Sequence, residues 1–392
     1  MHTFKKNIGS LKNPLLIMSM VVIFSFGFHT VNAADTSHIY VSTSGNDAWN
    51  GQAATHLSSN IGPKKTINSG VSTIKSGGVL RVSTGTYNEN KIAISKSMTI
   101  IGAGNDKTII NGNYKGVIMK ISSNVKVTIS GIRFYKGKAS YGGAIHNSGS
   151  LTVSSSKFLY NYSPDYGGAI YNGGYLKADH VTFLGNSALN GAGITNDQGS
   201  TMSVTNTVFS SNKVTGKGSG AGYGAAFMNM GTAYITSDNF YSNTGFEGAA
   251  VFNKGHLIAK WCNFKYNVAQ STGGALDTYH GVTTISYCTF TNNHSNIFGG
   301  ALYVDTDEGV TDTILSALTI QNCTFTSNTA SKDGGVLHNY HGKVTITSSK
   351  FLNNSSGRYG AAISNYHGVL KQSGNAYSNN VAKVGSTINQ WA

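Results

Sequence analysis

Two short signatures, G-G-A-I and F-x-x-N, return in step along most of this chain, and their recurrence limits the fold more than any single residue does. F-x-x-N falls at Phe158/Asn161, Phe183/Asn186, Phe209/Asn212, Phe240/Asn243, Phe264/Asn267, Phe290/Asn293, Phe325/Asn328 and Phe351/Asn354, with Tyr377/Asn380 as a variant. Intervals run from 24 to 35 residues. G-G-A-I keeps the same phase, from Gly142-Gly143-Ala144 through Gly273-Gly274-Ala275 to Gly360-Ala361-Ala362. Such a period marks a stack of units, none of which can bury a hydrophobic face alone.

Within one unit the pattern reads as about three short strands joined by turns. Leu151-Thr152-Val153 alternates, Phe158 fills a corner, and Ala144-Ile145 supplies the next apolar wall. Parallel coiling sets equivalent residues ~4.8 Å apart along the axis. The Phe and Asn columns then become ladders, with stacked amides satisfying one another. A second Asn column comprises Asn147, Asn172, Asn196, Asn229, Asn253, Asn339 and Asn365, and is broken at Thr278 and Val304. A residue repeated at every turn belongs to the scaffold, so the expected fold is an all-β, single-stranded parallel β-helix.

Ahead of the phased repeats, His38–Ser42 reads as a first strand. Lys65–Lys75 carries Ile67, Val71 and Ile74 at helical spacing, as a short helix capping the first turn would. The expected organisation is a leader over 1–34, a cap with irregular first turns over 35–130, and phased repeats over 131–392, the last two forming one continuous domain. The leader reading rests on Lys5, Lys6 and Lys12, an apolar run from Pro14 to Phe28, and Val31-Asn32-Ala33 as a cleavage site. That run is too short to span a bilayer. Secretion without a transmembrane anchor is the expectation.

The net charge of +14 comes from dispersed lysines; only Arg81, Arg133 and Arg358 are arginines, so no nucleic-acid partner is expected. Cys262, Cys288 and Cys323 each precede a repeat Phe by two residues and should stack as buried thiols, a poor geometry for disulfides.

The paired signatures resemble the repeats of chlamydial polymorphic outer-membrane proteins and, more closely, the adhesin-like β-helix proteins of methanogenic archaea. The segments IYVSTSGNDAWNG, VLRVSTGTYNE and MTIIGAGNDKTIINGN are similar to the opening of the second group. The resemblance implies a right-handed, pectate-lyase-like solenoid at the cell surface or secreted. It also implies an adhesive role towards carbohydrate, surface polymers or other proteins. The chlamydial C-terminal barrel is not expected here.

Candidate sites lie where the repeat carries something extra. Tyr141, Tyr166, Tyr223, Phe298 and Tyr359 precede the glycine signature and form an aromatic stripe suited to stacking on sugars, or to covering the coil. Asp305, Asp307, Glu308 and Asp312 form the one acidic cluster, a candidate Ca²⁺ loop without a known cation spacing, set against the simpler reading of a solvated insertion. Asp277 and Asp305 fall on successive turns near one corner. Lys213–Tyr223 is a Gly-rich insertion expected to project. The pairs Tyr279-His280, Tyr340-His341 and Tyr366-His367 mark one edge. With no cofactor and no convergence of carboxylates with Lys or Arg legible in the sequence, the expectation is a non-catalytic, adhesin-like protein. The alternative is a carbohydrate-active β-helix, either a polysaccharide lyase or hydrolase or a sugar-binding module.

Overall fold

A computed structural model describes residues 35–218, 220–306 and 316–391. The leader and Asp307, Glu308 and Asp312 of the acidic cluster lie outside the described residues. From Asp35 onward the chain forms a right-handed parallel β-helix. Its one helix among the described residues, Ile67–Thr73, falls inside the span expected, with Thr66 Oγ1 accepting from Ser69 N as an N-cap.

A full turn holds four strands rather than three. In the turn that starts at Ile145, Ile145–Asn147 belongs to a first, 12-stranded sheet, Ser150–Ser154 to a second of 13 strands, and Lys157–Leu159 to a third of 12. Tyr162–Tyr166 begins a fourth sheet of nine strands. Most strands of that sheet are as short as Val268–Ala269, which leaves too few residues for any periodicity to show. Every ladder is parallel, and equivalent residues pair, Ile145 with Ile170, Phe158 with Phe183 and Leu151 with Leu176; register shifts once, between Ser163 and Tyr166 at the start of the fourth sheet.

The core is a set of columns. Phenylalanine rings from Phe134 to Phe351 stack nearly parallel, with centroids 4.5 Å apart at Phe240–Phe264 and 4.6 Å at Phe264–Phe290. Phe325 continues the stack, 4.9 Å from both Phe290 and Phe351. Beside the rings each F-x-x-N asparagine donates from Nδ2 to the Oδ1 of the next. Asn186 donates to Asn212, Asn212 to Asn243, and Asn243 to Asn267, all at 3.0 Å. Further along, Asn293 donates to Asn328 at 2.9 Å and Asn328 to Asn354 at 3.0 Å. Each amide also closes onto the main chain of the preceding turn, as Asn186 Nδ2 does on Phe158 O and Asn328 Nδ2 on Phe290 O, both 2.9 Å.

Burial decides what these asparagines can do. Asn186, Asn212, Asn267 and Asn328 are fully buried and spend their amides on the ladder, so they are scaffold and present no surface to a ligand. Asn161, Asn293 and Asn354, three of the five N-x-[ST] asparagines, are buried in the same ladder, whereas Asn322 and Asn353 are exposed. The second Asn column also links turn to turn, Asn147 Nδ2 donating to Asn172 Oδ1 at 2.7 Å. At its break, Asn253 donates to Thr283 Oγ1 instead. The three cysteines are free, buried and stacked, with Cys262 N donating to Cys288 Sγ.

Glycine is required at the signature turn. Gly273 has φ +60°, and an added Cβ would meet Leu276 O at 2.6 Å. This turn joins the fourth sheet to the first and forms the floor from which the columns below project.

Candidate functional site

Three outward columns border the signature turn. One is the residue just before its first glycine: Tyr141, Tyr166, Asn190, Tyr223, Glu247, Thr272, Phe298, Asp333 and Tyr359. The second lies four residues past that glycine, on the first sheet, where Phe252, Asp277, Tyr303 and His338 pair in register. The third lies two residues further, where Tyr279, Asp305, Tyr340 and Tyr366 pair. The first column leans over the second: Tyr223 stacks on Phe252 of the next turn at 4.2 Å, and Phe298 on His338 at 4.6 Å. Outward residues of the first sheet are therefore buried, as Asp277, Tyr303 and His338 are.

Midway along, the columns enclose a cleft of about 620 Å³, lined by Tyr166, Gly220, Tyr223, Met228, Met230, Glu247, Phe252, Lys254, Asp277, Tyr279 and Asp305. Three carboxylates on three successive turns meet here. Asp277 is 2% exposed, and its Oδ2 accepts from Thr272 Oγ1 at 2.9 Å. Burial first, then the charges of Glu247 and Asp305, push its pKa well above the usual carboxylate range. Burial and Asp305 likewise push Glu247 up to about 7. Burial and the three acids also raise the Tyr303 phenol. Carboxyl groups gathered in a poorly hydrated space cannot all ionise, so a proton stays on the Glu247–Asp277 pair near neutrality.

The basic residue of this lining is Lys254, whose Nζ lies 5.3 Å from the centre of the Tyr279 ring. Asp277 and Asp305 are one turn and two residues apart on the same face, which places their backbones about 8 Å from each other. The described residues contain no group of three or more His, Cys, Asp or Glu side chains arranged to hold a metal ion.

Of the aromatic stripe, the cleft takes in Tyr166 and Tyr223. Tyr141 stacks on Tyr166 at 6.1 Å and extends the lining along the axis. Phe298 and Tyr359 lie further along the same column, beside His338 and the Arg358–Asp333 ion pair. Asp305 is the one residue of the acidic cluster that the structure describes, and it turns into the cleft with Asp277. The insertion after Lys213 does not project freely. Asn190 Oδ1 accepts from both Gly222 N and Tyr223 N, and the tie brings Gly220 over the cleft. The Tyr-His edge runs beside the third column, with His341 and His367 stacked at 5.4 Å. Sequence reasoning passed over Glu247. The signal was present, because Glu247 occupies the aromatic column's own position and is one of its exceptions.

Comparison with known proteins bears on the repeat and the fold. Residues 287–305 and 322–340 match the Chlamydia polymorphic membrane protein repeat. No curated protein matches the chain in sequence. Among solved structures it is similar to a PL6 alginate lyase in complex with a trisaccharide, at 11% identity and TM-score 0.44, covering 90% of this chain and 86% of that one. It is also similar to the PL6 family polysaccharide lyase Pedsa3628 from Pseudopedobacter saltans, at 10% identity and TM-score 0.38, covering 78% and 89%. A third is the catalytic domain of a GH87 alpha-1,3-glucanase in complex with nigerose, at 11% identity and TM-score 0.35, covering 87% and 69%. Likenesses this distant leave the chemistry of the cleft to be argued from its own residues.

Proposed function

We propose that this protein is a carbohydrate-active β-helix that binds a glycan along its cleft and hydrolyses a glycosidic bond there. The observation that carries the reading is the meeting of Glu247, Asp277 and Asp305 among aromatic rings. In this scheme the Glu247–Asp277 pair holds the proton that passes to the leaving oxygen. Asp305 accepts a proton from the attacking water. In direct displacement that water sits between the acid and the base, on the far side of the sugar carbon from the leaving oxygen. Tyr166, Tyr223 and Tyr279 offer ring faces to pyranose rings. Hydrolysis suits the lining better than elimination, because a lyase must neutralise a uronate carboxylate, and Lys254 is the basic group available there beside three acids.

The matched repeats favour a second reading, a surface protein that grips glycans without cleaving them. We place the protein at the cell surface on either reading. No helix among the described residues is long and apolar enough to cross a membrane. One assay separates the two: incubation with a panel of neutral and acidic polysaccharides, followed by reducing-end and unsaturated-product detection. New reducing ends that disappear in Asp277→Asn support hydrolysis. Unsaturated ends would replace it with elimination, and binding without product would leave the adhesive reading.

A further inference from the structure

A second hollow lies outside the cleft, at the corner between the third and fourth sheets. It encloses about 390 Å³ between Tyr114, Lys138, Tyr160, Tyr162 and Gly185. Lys136, Tyr160 and Gly185 hold one corner position on consecutive turns, Lys136 N donating to Leu159 O, and Tyr114 of the preceding turn lies beside them, its N donating to Lys136 O. All four have left-handed backbones, with φ of 52°, 53°, 63° and 56° in that order. Later turns mostly fill this corner with residues that suit the conformation, Ser211, Ser242, Asn292, Ser327 and Asn353, Tyr266 being the exception. Tyr114 and Tyr160 in this conformation carry backbone strain, and they are 43% and 47% exposed. The coil gains little by burying them.

Gly185 shows how the hollow is shaped. A Cβ there would meet Tyr160 Cε1 at 2.6 Å and Cδ1 at 2.8 Å, so the missing side chain is what lets the Tyr160 ring lie across the next turn. Charge around the hollow has one sign. Lys136 Nζ lies 4.9 Å from the Tyr135 ring centre and 5.9 Å from that of Tyr114, and Lys138 Nζ 5.6 Å from that of Tyr162. No Asp or Glu lines it.

We propose that this hollow binds a strand of an acidic polysaccharide, with a pyranose face on Tyr160 and its anionic substituent towards Lys136 and Lys138. Flat rings with phenol hydroxyls at the rim match a sugar's apolar face and its hydroxyl edge together. Lysines held over rings present an ammonium group to a carboxylate or sulfate. A nucleic acid is the weaker match, since its backbone needs a continuous basic track and this corner offers two lysines and no arginine. The site is independent of the cleft, because it stands on different columns of the coil.

The test is titration calorimetry of the full chain with a uronate oligosaccharide, a sulfated one, a neutral one of equal length and a single-stranded oligonucleotide. The expected result is binding of an anionic oligosaccharide that weakens with salt. The uronate and sulfated arms identify which anion is preferred. Tyr160→Ala should weaken binding roughly tenfold. Gly185→Asn keeps a residue that accepts the left-handed turn while pushing the Tyr160 ring aside, and should do the same with little change in melting temperature. For the part of the binding that Tyr160→Ala removes, equal affinity for the neutral oligosaccharide, preference for the oligonucleotide, or no such part at all would each overturn the proposal. Glycan cleavage reads the cleft separately, so failure at either site is distinguishable from failure at the other.

Discussion

Truncating one ladder asparagine should cost more than its size suggests, and Asn243→Ala is the sharpest case. Asn243 is fully buried; its Nδ2 donates to Phe209 O and Asn267 Oδ1, and its Oδ1 accepts from Asn212 N and Asn212 Nδ2. Truncation removes all of these bonds at once. Asn267 Oδ1 still accepts from Asn243 N, and Asn212 Nδ2 still donates to Phe183 O. The Asn212 N–H loses the partner that satisfied it, whereas the Phe209 carbonyl, paired in the strand ladder with the next turn, loses its second donor. At about 1–3 kcal/mol for the buried N–H left unsatisfied, plus the weakened amides, the loss should be about 2–4 kcal/mol. Asn380→Ala is the control. Asn380 makes the same kind of contacts to Asn354 and Phe351, but it is only half-buried, where water can replace the amide, and about 1 kcal/mol is expected. Urea unfolding followed by circular dichroism measures both. If Asn243→Ala costs under about 1 kcal/mol, or no more than Asn380→Ala, the ladder does not hold the turns together in the way argued here.

Phe264→Ala removes a ring stacked on both sides and should cost about 3–5 kcal/mol by the same measurement, because neighbouring turns fixed by their own ladders cannot collapse into the space. Asp238 is fully buried, and burial raises its pKa from 3.8 to about 7 although it accepts from Thr207 N and Thr236 N. The folded state therefore binds a proton there that the unfolded chain has released. Stability from this group is full below pH 3.8 and is lost as pH rises towards 7. Asp238→Ser, which restores the residue found at Ser156 and Ser349 in this column, should flatten the slope of melting temperature against pH across that window. In the cleft, a proton held near pH 7 predicts glycan cleavage that declines above neutrality. Glu247→Gln should lower kcat at least ~100-fold without lowering the melting temperature, and an unaltered pH profile would remove Glu247 from the chemistry.

Phe158, Asn161, Asn147 and their counterparts were readable because a stacked coil writes each core contact into the sequence at every turn. The fourth strand was not readable, since two residues such as Val268-Ala269 have no period to detect. The cleft depends on that strand, because the turn following it leans the pre-glycine column over the first sheet. Without that geometry, Tyr166 and Tyr223 read as a stripe, Asp277 and Asp305 as neighbours at a corner, and Glu247 as nothing in particular. A column is informative at its exceptions: the positions where Asn190, Glu247, Thr272 and Asp333 replace an aromatic ring bracket the acids closely.

The second asparagine ladder fails at Thr278 and Val304, beside the two aspartates of the cleft, and hydroxyl groups take over its links there. At an ordinary corner the amide closes the turn onto its own chain, as Asn147 Oδ1 does by accepting from Gly149 N. Here hydroxyls close the gap instead. Ser316 N donates to Thr306 Oγ1, His280 N donates to Ser316 Oγ, and Thr278 and Thr283 share a hydrogen bond of 2.8 Å. The coil gives up two rungs of its amide ladder at the place where carboxylates are gathered at an energetic cost to folding. Natural scaffolds tolerate such local losses where a site needs them. The coincidence of a broken ladder and three carboxylates favours the proposed reading, in which this stretch is kept for its chemistry rather than for the stability of the coil.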